Sequence, residues 1–222
     1  MEILWMLDVG DWMFHSMTDF TEAVKYLCQS DKVLRGLIRR VGNCLLETKN
    51  HRSPFEALVQ SVTYQQLNGT AAATILRRVK ALYPGRRFPG PQDVLATTDA
   101  RLRGAGLSRA KTAAIKDLAT HALGGVVPSS RAIRKLSDAE IVEQLTVVRG
   151  IGPWTVEMLL IFHLGRLDVW PVTDYGVRKG FARAYRLKDL PSPKELIELG
   201  EKWRPYRTVA AWYFWRALEL EE

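Results

Sequence analysis

Apolar residues recur at three- and four-residue intervals along almost the whole chain, and no stretch keeps the two-residue alternation of a half-buried strand. The expected fold is all-α, a bundle of about ten short helices. Helix starts are well marked. Ser53-Pro54-Phe55-Glu56 sets a cap, a first-turn proline and an acid ahead of a helix to about Gln66, and Asn68 is placed to cap the next, to about Leu82. Ser108 opens a helix through about Leu123. Ser137-Asp138-Ala139-Glu140 and Ser192-Pro193-Lys194-Glu195 have capping-box spacing, in which serine and glutamate satisfy each other's orphan backbone N–H groups. Pro84-Gly85, Pro89-Gly90-Pro91, Gly124-Gly125 and Pro128 punctuate the loops between, none long enough for a flexible interdomain linker.

Composition narrows the class. With 222 residues, 47% hydrophobic and 25% charged, the chain can bury a core without disulfides or a structural metal. Cys28 and Cys44 lie in apolar stretches read as helical and match no CxxC or zinc-ligand spacing, so both are expected to be buried free thiols, as suits a reducing compartment. Glu2, Asp8 and Asp11 break the apolar start, and no basic segment precedes it, so neither a signal peptide nor a membrane span is expected. The net charge of +8 is uneven: residues 1–30 hold five acids and one base, a local −4, and the remaining 192 residues carry +12. A basic body suits a polyanionic partner, although solvated lysine faces give the same number.

Two segments carry candidate chemistry. In Leu145-Thr146-Val147-Val148-Arg149-Gly150-Ile151-Gly152-Pro153-Trp154-Thr155 one helix ends, a glycine-bracketed turn follows, and Pro153 starts another helix. Such a turn either just separates two helices or presents backbone N–H groups to a phosphate, with Ile151 plugging it into the core. Asp174, in Trp170-Pro171-Val172-Thr173-Asp174-Tyr175-Gly176-Val177-Arg178, lies twenty-two residues beyond Gly152 where a loop gives way to a helix. Taken alone it is an N-cap or a catalytic carboxylate.

The hairpin, a helix from Trp154 to Gly165, the Pro171-Val172-Thr173-Asp174 turn and the helix from Tyr175 together resemble the helix-hairpin-helix-Gly-Pro-Asp signature of DNA glycosylases. The likeness covers about residues 20–220, and Trp154 and Trp215 resemble the alkylation branch, the 3-methyladenine DNA glycosylase II family. It implies two helical lobes with a DNA-binding cleft between them, one from residues 52–170 carrying the hairpin at about 145–155, the other from 1–51 plus 171–222.

The resemblance assigns roles residue by residue. Asp174 takes the catalytic position, stabilising an oxocarbenium-like sugar or helping a water attack it. Trp154 and Trp215 match the indole walls of a pocket for a flipped, positively charged base, with Met158 one turn after Trp154 in place of the family's tyrosine and Tyr175 beside Asp174; Trp212 reads as core. Trp5, Trp12 or Phe14 would close the pocket. Leu67 matches the intercalating wedge, with Gln66 probing the opened duplex. Gly150, Ile151, Gly152 and Thr155 would meet the DNA backbone, aided by Na+ or K+ on the carbonyls of Thr146, Val148 and Gly150. Arg109 and Lys111, in Gly104-Ala105-Gly106-Leu107-Ser108-Arg109-Ala110-Lys111, either reach phosphates or form a solvated helix start.

Bifunctional relatives place a Schiff-base lysine where Trp154 stands, so no strand-cutting lyase step is expected, and two cysteines cannot hold the four-cysteine iron–sulfur cluster of other members. The expected protein is a monofunctional, monomeric glycosylase for alkylated bases in double-stranded DNA, needing no cofactor and no membrane. It would reside in the cytoplasm at a prokaryotic nucleoid or in a eukaryotic nucleus. A glycosylase for oxidised or deaminated bases and a non-catalytic damage-binding protein are the alternatives.

Overall fold

The serine caps act as their spacing predicts. In a computed structural model that describes residues 19–48, 52–67 and 69–221, Ser53, Ser108, Ser137 and Ser192 each accept a bond from the amide three residues on, and the boxes at Ser137 and Ser192 are both closed by their glutamates. Asn68, Trp5, Trp12 and Phe14 lie outside the described residues.

In chain order the helices are α1 (Thr21–Ser30), α2 (Lys32–Val41), α3 (Pro54–Tyr64), α4 (Gly69–Ala81), α5 (Pro91–Ala96), α6 (Asp99–Gly104), α7 (Arg109–Leu123), α8 (Ser130–Ile133), α9 (Asp138–Leu145), α10 (Pro153–Leu159), α11 (Tyr175–Tyr185), α12 (Pro193–Gly200) and α13 (Arg207–Ala217). No strand occurs among the described residues, and none of their helices is long and apolar enough to cross a membrane. The chain is thus all-α but more finely divided than its periodicity suggests. Pro91, read from sequence as loop punctuation, is the first residue of α5; Asp93 accepts the Gly90 N–H at 2.8 Å and closes that start. The helix expected from Trp154 to Gly165 stops at Leu159 and continues as a π-helical turn, Leu160–Leu164.

Two compact units emerge. Among the described residues one comprises 52–67 and 69–164 and holds α3 to α10; the other comprises 19–48 and 165–221 and holds α1, α2 and α11 to α13. The division falls at 164/165, ahead of the expected 170/171, because residues 166–169 are fastened to the start of α13. Thr208 donates through its amide to Leu167 O and through its hydroxyl to Arg166 O, and it accepts the Val169 N–H at 2.9 Å.

The first unit is built around α3, which packs against α4, α7 and α10, while α5 and α6 lie on α7 and α9 lies on α10. Leu58, Val59 and Val62 of α3, Ile115 and Leu118 of α7, and Val156 of α10 are fully buried there. In the second unit α13 packs on α11, α2 and α1, and every residue from Thr208 to Trp215 is buried. Aromatic edges fill its core: Trp203 meets Trp170 at 5.2 Å and Phe214 at 5.3 Å between ring centroids, and Phe181 meets Phe214 at 5.3 Å. Two glycines let a neighbouring backbone and a neighbouring indole close in. A Cβ on Gly180 of α11 would lie 1.8 Å from Phe214 O, and one on Gly200 would lie 2.4 Å from the Trp170 indole nitrogen.

The thiols differ from expectation. Cys44 is buried but sits in the irregular segment after α2, where burial pushes its pKa up to about 12; Cys28, on α1, is only half-buried.

Candidate functional site

Asp174 is both the N-cap of α11 and a buried carboxylate at 4% exposure. Its Oδ1 accepts the Val177 amide at 2.7 Å and the Trp215 indole N–H at 2.8 Å. The two readings of Asp174 are therefore compatible: the cap fixes the carboxyl's orientation, and α13 supplies the second donor. The helix macrodipole also places partial positive charge where this anion sits. Trp215 is 5% exposed, and its ring nitrogen is committed to the carboxylate. Trp212 is buried, as expected of core. Tyr175, next to Asp174, is exposed at the first turn of α11.

The first unit carries the other half of the candidates. The hairpin turns at Gly150, whose φ of +76° only glycine adopts readily, and Ile151 is buried beneath it. Gly152 is different: its backbone is extended, and a Cβ there would meet nothing within 4 Å. Neither strain nor internal packing requires a glycine at 152, and the space above it is open. Ile151 N–H bonds internally to Val148 O and Thr155 N–H to Gly152 O, whereas the amides of Gly150 and Gly152 donate to no acceptor among the described residues. The hairpin's free backbone donors are thus those two glycine amides, while Ile151 and Thr155, also expected at the DNA backbone, commit their amides within the hairpin. The Thr155 side chain also points inward, buried and accepting from Gln65 Nε2 at 3.2 Å.

Of the three carbonyls considered for a cation, Val148 O accepts the Ile151 N–H at 3.1 Å and Gly150 O accepts Gln65 Nε2 at 3.0 Å. Each keeps a second lone pair, as does Thr146 O. Neutral, hard oxygens of this kind suit Na+ or K+ better than a transition metal. No cluster of three or more His, Cys, Asp or Glu able to hold a metal occurs among the described residues.

Leu67 is half-buried and closes a turn in which its amide bonds back to Tyr64 O at 3.3 Å. Gln65 at φ −48°, ψ 130° and Gln66 at φ +56° give this the form of a type II turn, with Gln66 at the position that favours glycine. The Gln66 side chain is exposed at the turn's tip. Arg109 is exposed at the start of α7. Lys111 fits neither expectation for it, a reach to phosphates or a solvated helix start. Its Nζ turns inward, donating to Thr63 O and Gln65 O, both at 2.7 Å, where it caps the C-terminal carbonyls of α3; desolvation lowers its pKa. Trp154 is half-buried on the first turn of α10, and Met158 is buried one turn on. Gln65 is the residue that sequence reasoning missed: it stands beside the wedge candidate in the Gln65-Gln66-Leu67 run, but nothing local shows that its amide reaches the hairpin.

A helix–hairpin–helix whose exposed glycine amides face outward, and a buried aspartate capping the following helix, define a class. The sequence model of the HhH-GPD superfamily of base excision DNA repair proteins matches residues 59–205, and the chain belongs to that superfamily. Within it, the chain is 34% identical to DNA-3-methyladenine glycosylase 1 of Schizosaccharomyces pombe over 93% of this chain and 91% of that one. The structure of the S. pombe 3-methyladenine DNA glycosylase Mag1 in complex with abasic DNA aligns with a TM-score of 0.84 at 34% identity, over 90% of this chain and 98% of the other. A DNA-3-methyladenine glycosidase from Bacillus halodurans aligns with a TM-score of 0.79 at 36% identity, over 92% of each chain.

Proposed function

We propose that this chain is a monofunctional DNA glycosylase that removes alkylated bases from double-stranded DNA by hydrolysing the N-glycosidic bond, the first step of base excision repair. The observation that carries the reading is Asp174: a buried carboxylate oriented by the Val177 amide and the Trp215 indole N–H. The similarity to the S. pombe and B. halodurans proteins, named for 3-methyladenine, supports the alkylated substrate.

The chemistry follows from charge. As the glycosidic bond breaks, its electron pair leaves with the base and positive charge develops on the sugar; the Asp174 carboxylate stabilises that charge electrostatically. A cationic alkylated base departs neutral, so strong protonation of the leaving group is unnecessary. Water then adds to the sugar carbon and loses a proton, leaving an abasic site. Trp154, at the position of the lyase lysine in bifunctional relatives, has no amine to form a Schiff base, so the strand stays intact.

In this reading Trp154 with Met158, and Trp215 with Tyr175, are the side chains that act on the flipped base; an indole face attracts an electron-poor base by about 0.5–2 kcal/mol per contact. Leu67 enters the gap left by the flipped nucleotide, with Gln66 beside it. The Gly150 and Gly152 amides and Arg109 hold phosphates, and Na+ or K+ on the hairpin carbonyls would add positive charge there. The protein acts as a monomer wherever the cell keeps its DNA.

The test is base release by the purified protein from methylated duplex DNA, assayed first without heat or alkali and then with alkali. Free 3-methyladenine or 7-methylguanine, with strands cut only after alkali, is the expected result. Direct strand cleavage would overturn the monofunctional assignment. Binding without release from any alkylated duplex would overturn the substrate class.

A further inference from the structure

Three side chains of α7, at successive three-residue steps and hence on one face of the helix, touch the two parts of the first unit assigned above to the duplex. Lys111 holds the wedge turn through Thr63 O and Gln65 O at 2.7 Å. Ala114 packs against Gly150: a Cβ on that glycine would lie 3.0 Å from the Ala114 Cβ. Asp117 Oδ2 accepts the Arg149 N–H at 2.8 Å, one residue before the hairpin glycine. Gln65 closes the loop from the other side, its Nε2 donating to Gly150 O and Thr155 Oγ1.

We propose that Lys111 and Gln65 are positioning residues that fix the Tyr64–Leu67 turn to the hairpin, so that the wedge and the backbone clamp meet the duplex as one rigid pair. The inference rests on the glycosylase reading for the roles of Leu67 and the hairpin, but the linkage is geometric. It explains why a turn with a non-glycine residue at φ +56° persists at the tip. A type II turn with glutamine at its third position is not self-sustaining, and the observed backbone needs outside restraint. Lys111 supplies it from beneath and Gln65 from the side. It also explains why a basic residue two positions after an exposed arginine faces inward: the α3 carboxyl end, where the turn begins, carries the negative pole that an ammonium satisfies.

A positioning role predicts a split that a purely structural one does not. Opening a paired nucleotide is where a wedge contributes, whereas a lesion with no partner base opens with little help. Lys111→Met, which keeps the aliphatic stem, and Gln65→Ala, which is milder for folding, are compared with wild type under single-turnover conditions. One duplex carries 7-methylguanine opposite cytosine and the other carries it opposite a tetrahydrofuran abasic analogue. A 2-aminopurine beside the lesion reports opening independently of excision.

Each variant is expected to lose about tenfold to hundredfold in rate on the paired lesion, with a smaller fluorescence rise, and to stay within about threefold of wild type opposite the abasic analogue. Equal losses on both duplexes, or no loss on either, would overturn the positioning role. If the wild type opens the duplex but releases no base, the glycosylase reading fails; a reduced fluorescence rise in both variants would still uphold the linkage. No opening by the wild type would overturn the linkage as a functional device.

Discussion

Replacing Asp174 separates the two jobs the structure gives it. Asp174→Asn keeps an oxygen at the Oδ1 position, able to accept from the Val177 amide and the Trp215 indole as Asp174 does at 2.7 and 2.8 Å, but it removes the negative charge. Asp174→Ala removes both. Two unit charges about 4 Å apart at an effective dielectric near 20 attract by about 4 kcal/mol. Losing that from a transition state with a cationic sugar slows base release by about a thousandfold. For stability the order is different. Alanine loses an N-cap, about 1 kcal/mol, and takes the acceptor from a buried indole N–H, a further 1–3 or so. The expected fall in melting temperature for Asp174→Ala is on the order of 10 °C, against a few degrees for asparagine. Single-turnover release of 7-methylguanine, thermal unfolding and affinity for an abasic-analogue duplex are measured on the same preparations. Asp174→Asn should bind and melt almost as wild type does and be nearly inactive. Turnover within threefold or so of wild type would refute the electrostatic role, and asparagine melting as low as alanine would refute the capping role.

Three further outcomes follow from the second unit. Gly180→Ala would put its Cβ 1.8 Å from Phe214 O, so α11 and α13 must separate; thermal or urea unfolding should show a loss of about 3 kcal/mol or more, and an unchanged midpoint would contradict the packing. Burial of the Asp31 carboxyl opposes its ionisation, but bonds from Lys202, Tyr185 and the Leu34 amide outweigh it and hold its pKa below the usual carboxylate value. The stability it adds is present above about pH 4 and is lost as pH falls through its folded value, so Asp31→Asn should lower stability at pH 7 and flatten the acid limb of the stability profile. Parallel profiles for variant and wild type would count against it. Cys44, with its pKa pushed up to about 12, should not react with a disulfide reagent at pH 8 until the protein unfolds, which a Cys28→Ser background isolates; a fast native reaction would disprove its burial.

The helix plan was legible at four starts where a serine closes its own helix. Ser53, Ser108, Ser137 and Ser192 cap through residues three positions away, so the signal and the structure are both local. The short helices α5 and α6 escaped because six residues cannot establish an apolar period. Asp174 was legible as a cap and, through the surrounding motif, as a catalytic candidate; its bond to Trp215 was not, because the partner is forty-one positions away. α13 hid its own orientation, since a helix buried on every side from Thr208 to Trp215 gives no polar face to orient it. Lys111 was misread for the same reason in reverse: a lysine near a helix start looks solvent-facing, and only the arrival of the α3 carbonyls reverses that.

The inward turn of Lys111 changes what the positive charge of this chain means. Many of its cations already answer to the fold: Lys202 to Asp31, Arg87 to Glu56, Lys116 to Asp99, Arg207 and Arg204 to Asp168, and Arg183 to the carbonyls of Leu218 and Leu220. Some of these pairs are neutral at a distance, and a cation capping carbonyls has its hydrogen-bonding capacity directed inward. The net +8 also sets up a long-range field suited to a polyanion, which salt screens beyond about 8–10 Å. In the glycosylase reading, short-range grip is shared between the exposed Arg109 and groups that carry no formal charge and are fixed in place, the Gly150 and Gly152 amides. Backbone donors cannot adjust as a long side chain can. Their usefulness depends on the hairpin being held rigidly, which Asp117 and Gln65 do from opposite sides.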